Sequence, residues 1–146
     1  MDTHESPQTL AFKVGQTMFA QDTASKDTMG MQLMECLPGS AQMRMKVTEK
    51  HLNGHGICHG GFIFTLADST FAFACNSHNK NAVAASAGIE FLKPAKLGDV
   101  LTCNGVEQVL NGRHGVYDMT VRNQDGDIIA LFRGKSAQIP GTVVNP

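Results

Sequence analysis

The reading turns on His59-Gly60-Gly61-Phe62-Ile63-Phe64-Thr65-Leu66-Ala67-Asp68-Ser69-Thr70-Phe71-Ala72-Phe73-Ala74-Cys75. From Phe62 to Cys75, ten of fourteen residues are apolar, the exceptions being Thr65, Asp68, Ser69 and Thr70. A stretch of that length is long enough for a helix, and a helix apolar nearly all round is a buried one. Asp68 breaks the pattern. A carboxylate within a buried helix is costly unless it is paired, hydrogen-bonded or set in a cleft. Its neighbours at helical spacing, Phe64, Thr65, Phe71 and Ala72, offer no charge to neutralise it. The plain alternative is a solvated polar strip shared with Ser69 and Thr70; the functional carboxylate is the reading preferred here.

The same helix opens at Gly60-Gly61, where unpaired backbone N–H groups and the positive end of the helix dipole can receive a developing oxyanion. Eight residues at 1.5 Å each put Gly60 and Asp68 about 12 Å apart along the axis. The two cannot touch one carbonyl group within one chain. If both are catalytic, Asp68 from one copy must meet the helix N-terminus of another, which predicts a two-fold site at a dimer interface.

Outward from this helix, His51 to Gly61 holds four glycines and reads as an ordered loop. On the N-terminal side, Ser6-Pro7 resembles a helix cap followed by proline in the first turn, with Leu10, Val14 and Met18 at spacing four, predicting a helix over 8–21. The polar residues 23–27 read as a break. Met29 to Leu37 reads as a strand ending at Pro38-Gly39, and residues 41–47 alternate apolar and polar as a half-buried strand should. On the C-terminal side, strands are expected over 83–92, 100–110, 115–123 and 128–139, the last three forming an antiparallel meander through turns at Asn111-Gly112 and Asp125-Gly126. The expected class is α+β, an antiparallel sheet wrapped around one long buried helix, with an additional N-terminal helix.

The 146 residues suit one domain, and a charged fraction of 17% is low enough to suggest burial in an oligomer. A net charge of −1 gives no basic field for phosphate backbones, so no nucleic acid partner is expected. No apolar run approaches the roughly 18–20 residues that cross a bilayer, so no membrane partner is expected either. The N-terminus lacks the basic and apolar regions of a secretory signal, and cytoplasmic localisation is expected. Cys36, Cys58, Cys75 and Cys103 form no C-x-x-C pair and read as reduced thiols. Residues 1–9 are polar and expected to be flexible.

Asn53-Gly54-His55, Cys58-His59-Gly60-Gly61, Leu66-Ala67-Asp68, Phe91-Leu92-Lys93-Pro94 and Leu131-Phe132-Arg133-Gly134-Lys135-Ser136 resemble the hotdog-fold acyl-CoA thioesterases of the phenylacetate-degradation PaaI group. The resemblance runs over residues 10–142, taken as a single hotdog thioesterase domain. It implies hydrolysis of acyl-CoA, particularly ring-hydroxylated phenylacetyl-CoA, by a homotetramer assembled as a dimer of dimers, with no metal or redox cofactor. Matched to the motifs, Asp68 takes the place of the catalytic carboxylate and Gly60 that of the amide polarising the thioester carbonyl. Asn53 is implied to hold the attacking water or the carboxylate, and His59 to order the loop presenting the glycine amide. Gly61 and Ser86 are expected beside the substrate, and Lys93, Arg133 and Lys135 in segments that approach the CoA nucleotide.

Asp68 can serve as general base toward water or as a nucleophile forming a mixed anhydride, and the sequence leaves both open. Three other readings compete. His51, His55, Cys58 and His59 offer four metal donors within nine residues; the fold also suits a non-catalytic acyl-CoA-binding or regulatory domain, or a dehydratase.

Overall fold

A computed structural model describes residues 5–145. Helix α1 spans Pro7–Gln21, and the Ser6 side chain caps it by accepting from the Thr9 amide at 3.1 Å. Of the segment expected to be flexible, residues 1–4 lie outside the described residues, whereas Ser6 and Pro7 open this helix. The expected polar break after it is a π-helical turn, Ala24–Thr28. Ser25 explains the turn: its buried hydroxyl bonds both the Asp22 carboxylate and the Ser69 hydroxyl at 2.9 Å, tying the turn to the buried helix. Strand β1 therefore begins at Gln32 rather than Met29 and runs to Leu37.

The remaining elements follow the expected order. They are β2 (Ser40–Lys46), a short 3₁₀ turn (Glu49–His51), α2 (Gly60–Asn76), β3 (Ala82–Phe91), β4 (Val100–Asn111), β5 (His114–Arg122) and β6 (Ile128–Gln138). The six strands form one antiparallel sheet in the order β1-β2-β4-β5-β6-β3. Period-two alternation points Met43 and Met45 of β2, Leu101 and Cys103 of β4, Met119 and Val121 of β5 and Phe132 of β6 to one face, all buried. Helix α2 lies across that face and buries Ile63, Leu66, Ala67, Phe71, Phe73 and Ala74. The contact is close enough to require glycine at Gly134 of β6, where a Cβ would sit 2.8 Å from the Phe71 ring.

The two edges of the sheet differ. Helix α1 packs on β1, with Gly15 so near Cys36 that a Cβ would come within 2.8 Å of its Cβ. Along β3, at the other edge, only Ala82 is buried and Ile89 half-buried; the rest of the strand is exposed.

The C-terminal end of α2 is fully tied down. Asn76 donates to the Ala72 and Ala82 carbonyls and accepts from the Ala82 amide. Ser77 donates to the Ala74 carbonyl and accepts from the Gly39 amide. Asn79, in the left-handed region at φ 61°, accepts from the Val143 and Val144 amides. All four cysteines are free and buried, and burial pushes the thiols of Cys36 and Cys58 up to about 11 and those of Cys75 and Cys103 up to about 12. Among the described residues no helix is long and apolar enough to cross a membrane.

Candidate active site

The first turn of an α-helix has four amides with no intrahelical acceptor, so the fate of each at the start of α2 is informative. His59 is the cap. Its Nδ1 accepts from the Gly61 amide at 3.1 Å, and its backbone carbonyl accepts from Phe62 at 3.0 Å and Ile63 at 3.4 Å. Gly60 is left. Among the described residues its N–H meets no acceptor, so the dipole end of the helix presents one amide. Gly61, expected beside the substrate, has its amide taken by the cap.

The loop that delivers this amide is braced by His51, which is 3% exposed. Its Nδ1 accepts from the Thr48 amide at 3.0 Å, its carbonyl accepts from the His59 amide at 2.8 Å, and its ring lies 5.0 Å from that of Phe62. Burial holds the imidazole below its usual pKa, opposed in part by the Met29 carbonyl. Asn53 closes the intervening turn, its Oδ1 accepting from the His55 amide at 2.9 Å and the Ile57 amide at 3.3 Å. That leaves its NH₂ group to donate elsewhere. Asn53, Cys58, Gly60, Ile63, Phe91 and Leu92 together line a cavity of about 280 Å³.

Two turns along α2, the Asp68 carboxylate is half-buried and accepts no hydrogen bond from any described residue. Loss of water raises its pKa above the usual carboxylate value, burial being the only cause. A carboxylate in that state is a better base than an exposed one. Asp68 and the Gly60 amide are the two groups of α2 that the fold leaves chemically unspent.

The Thioesterase superfamily family model matches residues 55–130, a span holding the Gly60 turn, all of α2, strands β3 to β5 and the start of β6. Acyl-coenzyme A thioesterase PaaI of Escherichia coli is 41% identical over 133 residues, covering 91% of this chain and 94% of that protein. The chain belongs to the thioesterase superfamily, in its PaaI group. The solved E. coli PaaI protein, from the phenylacetic acid degradation operon, superposes with a TM-score of 0.91 over 94% of this chain and 99% of that one. A Streptococcus mutans protein solved with acetyl CoA bound is 29% identical, with a TM-score of 0.75 over 77% of this chain and 91% of that one. The chain is thus a thioesterase with the hotdog fold that its loop and helix motifs imply.

Within this thioesterase, the other expected substrate residues fall in two places. Ser86, Arg133 and Lys135 line an open groove of about 810 Å³ along β3, β5 and β6. The register pairs Ser86 with Lys135, on the sheet face away from α2, so one chain alone does not bring the Ser86 hydroxyl to Asp68. Arg133 is held bidentate by Asp118 at 2.6 and 2.8 Å, which keeps that carboxyl below its usual range. Lys93 instead lines the cavity of Asn53 and Gly60, paired with Asp127. Lys135 has no ion pair among the described residues.

The four imagined metal donors have other occupations. His51 and His59 each turn Nδ1 onto a backbone amide, His55 is exposed, and the protonated Cys58 thiol donates to the His59 carbonyl. Among the described residues no three His, Cys, Asp or Glu side chains converge as a ligand set. Sequence reasoning missed His51 as the brace and Phe91 as the ring against Gly60. An imidazole flanked by no glycine, at the foot of a glycine-rich loop, is the signal that could have pointed to a brace.

Proposed function

We propose that this enzyme hydrolyses acyl-CoA thioesters bearing an aryl acyl group, hydroxylated phenylacetyl-CoA foremost, to the free acid and CoA, in the cytoplasm. The single observation that carries the mechanism is the pair of unspent groups on α2. The Gly60 N–H is free to donate to the thioester oxygen as it becomes an oxyanion, and the desolvated Asp68 carboxylate supplies the base or nucleophile. The names of E. coli PaaI and of the operon that holds its gene support the substrate class.

The two groups lie about 12 Å apart along the axis, so each site combines Gly60 of one copy with Asp68 of the partner subunit. The exposed β3 edge supports such a pairing, since two β3 strands meeting antiparallel would continue the sheet and set two α2 helices side by side. A further pairing of dimers gives the homotetramer. In the reaction, Gly60 polarises the carbonyl while Asp68 of the partner subunit takes a proton from water, which the Asn53 NH₂ helps to hold. The water oxygen bonds to the carbonyl carbon, the tetrahedral oxyanion collapses, and the C–S bond breaks to release thiolate. If Asp68 instead attacks directly, a mixed anhydride forms as thiolate leaves, and water opens it. His59 keeps the loop in register. For the CoA phosphates Lys135 is the readiest contact, whereas Arg133 and Lys93 must exchange Asp118 and Asp127 for phosphate.

The test follows loss of the thioester ultraviolet band with hydroxyphenylacetyl-CoA and a short aliphatic acyl-CoA, comparing wild type with Asp68→Asn. Turnover favouring the aryl ester and falling about a hundredfold or more in the variant is expected. Absence of wild-type turnover on both esters would sink the proposal. Turnover that survives Asp68→Asn would discard the carboxylate's role.

A further inference from the structure

Phe91 is the last residue of β3, and the register pairs it with buried Ala130, on the face of the sheet that α2 covers. Its side chain nevertheless remains 52% exposed. The ring lies against Gly60: a Cβ there would meet Phe91 Cζ at 3.1 Å, Cε1 at 3.4 Å and Cε2 at 3.6 Å. Chain neighbours aside, no other side chain among the described residues stands as close to that position. The backbone beyond the ring is fixed, because the Leu92 and Lys93 amides both donate to the Ile129 carbonyl, at 2.9 and 3.3 Å, and the Cys58 amide donates to Ala95 at 2.8 Å. The ring is therefore a firmly mounted aromatic surface, open on one side, at the wall of the cavity that holds the Gly60 amide.

We propose that Phe91 determines the acyl specificity of the enzyme, its ring serving as the platform on which an aryl acyl group stacks while the thioester oxygen meets the Gly60 N–H. The proposal rests on the thioesterase reading of this site and adds the residue that selects the acyl class. An aryl group gains an offset or edge-to-face contact with the ring beyond simple area burial, whereas an alkyl group gains area alone. It also accounts for glycine at position 60, since any side chain there would push the ring off the amide it borders.

The experiment compares wild type with Phe91→Leu, which keeps apolar bulk and removes the flat ring. Calorimetry measures binding of two non-hydrolysable CoA thioethers, one carrying a phenacyl group and one a 2-oxobutyl group, and kcat/KM is measured for hydroxyphenylacetyl-CoA and butyryl-CoA. The aryl-over-alkyl preference is expected to fall by about threefold to tenfold in both readouts, with alkyl binding unchanged within about twofold. Equal losses on both ligands, a wild type with no aryl preference, or a lower Tm or altered oligomer on size exclusion with an unchanged preference ratio would each overturn it. The thioether measurement needs no turnover, so a failure of hydrolysis counts against the thioesterase mechanism while the role of Phe91 is still read from binding.

Discussion

At its C-terminal end α2 leaves little unsatisfied: Asn76, Ser77 and Asn79 bond the last turn to β3, to the β1–β2 turn and to the chain's end. At its N-terminal end the same helix keeps the Gly60 amide without an acceptor among the described residues, and two turns on it carries Asp68 without a donor among them. One end is organised for cohesion. The other holds back polar groups that folding could have used. Because an unmade hydrogen bond costs more than a made one returns, such groups persist where another molecule completes them.

The largest expected departure comes from deleting the Gly60 amide without disturbing the helix. Gly60→Pro does this, since proline is tolerated at the first helical position and His59 already has the extended backbone that proline requires before it. Activity should fall by at least about 10²- to 10³-fold with nearly native circular dichroism, displacement of the Phe91 ring by the new Cβ adding to loss of the amide. Mixing and refolding it with Asp68→Asn should restore one working site per hybrid dimer; no recovery would count against a site shared between copies. At the sealed end, Asn76→Ala removes three hydrogen bonds, two of them fully buried, and should cost about 2–3 kcal/mol in urea denaturation, leaving turnover per folded molecule within about twofold. Loss of turnover out of proportion to loss of fold would blur the contrast between the ends.

Smaller effects follow from pH. Asp68 has a raised pKa through burial, so the folded state holds its proton more tightly than the unfolded chain. Its contribution to stability is full below about 3.8 and lost as pH rises through the raised value. At pH 7, therefore, Asp68→Asn should melt higher than wild type, with the gap closing toward pH 4; a lower melting point would show that the carboxylate has a structural partner. His51 runs the other way. Its lowered pKa means that the neutral ring contributes fully above about 6.5 and that the contribution is lost as pH falls below that value. Melting curves at pH 5 and 7.5 should show this loss in wild type and a reduced one in His51→Gln.

Much of this was legible in the chain itself. The apolar run after Gly61 announced the buried helix, the alternation of Ala41, Met43 and Met45 announced β2, and Asn111-Gly112 and Asp125-Gly126 announced the hairpins. Asp68 stood out because charge on such a helix demands a reason. What stayed hidden depends on contacts distant in sequence. The π-helical turn arises because Ser25 finds Ser69, and the pairing of Arg133 with Asp118 exists only through the β5–β6 register. Histidine spacing likewise suggested metal donors, whereas the imidazoles of His51 and His59 serve as acceptors for backbone amides, a role that depends on ring orientation.

The buried cysteines bear on how the enzyme survives its own chemistry. Thioester hydrolysis releases a free thiol at every turnover, and in the proposed site it does so beside a cavity that Cys58 helps to line. Disulfide exchange proceeds through thiolate, and a thiol whose pKa is pushed to about 11 is ionised at pH 7 in only about one molecule in ten thousand. Cys36, Cys75 and Cys103 are shielded as well or better. The thiols are thus expected to react slowly in mixed-disulfide exchange with the product, and turnover measured in oxidised glutathione should show activity persisting.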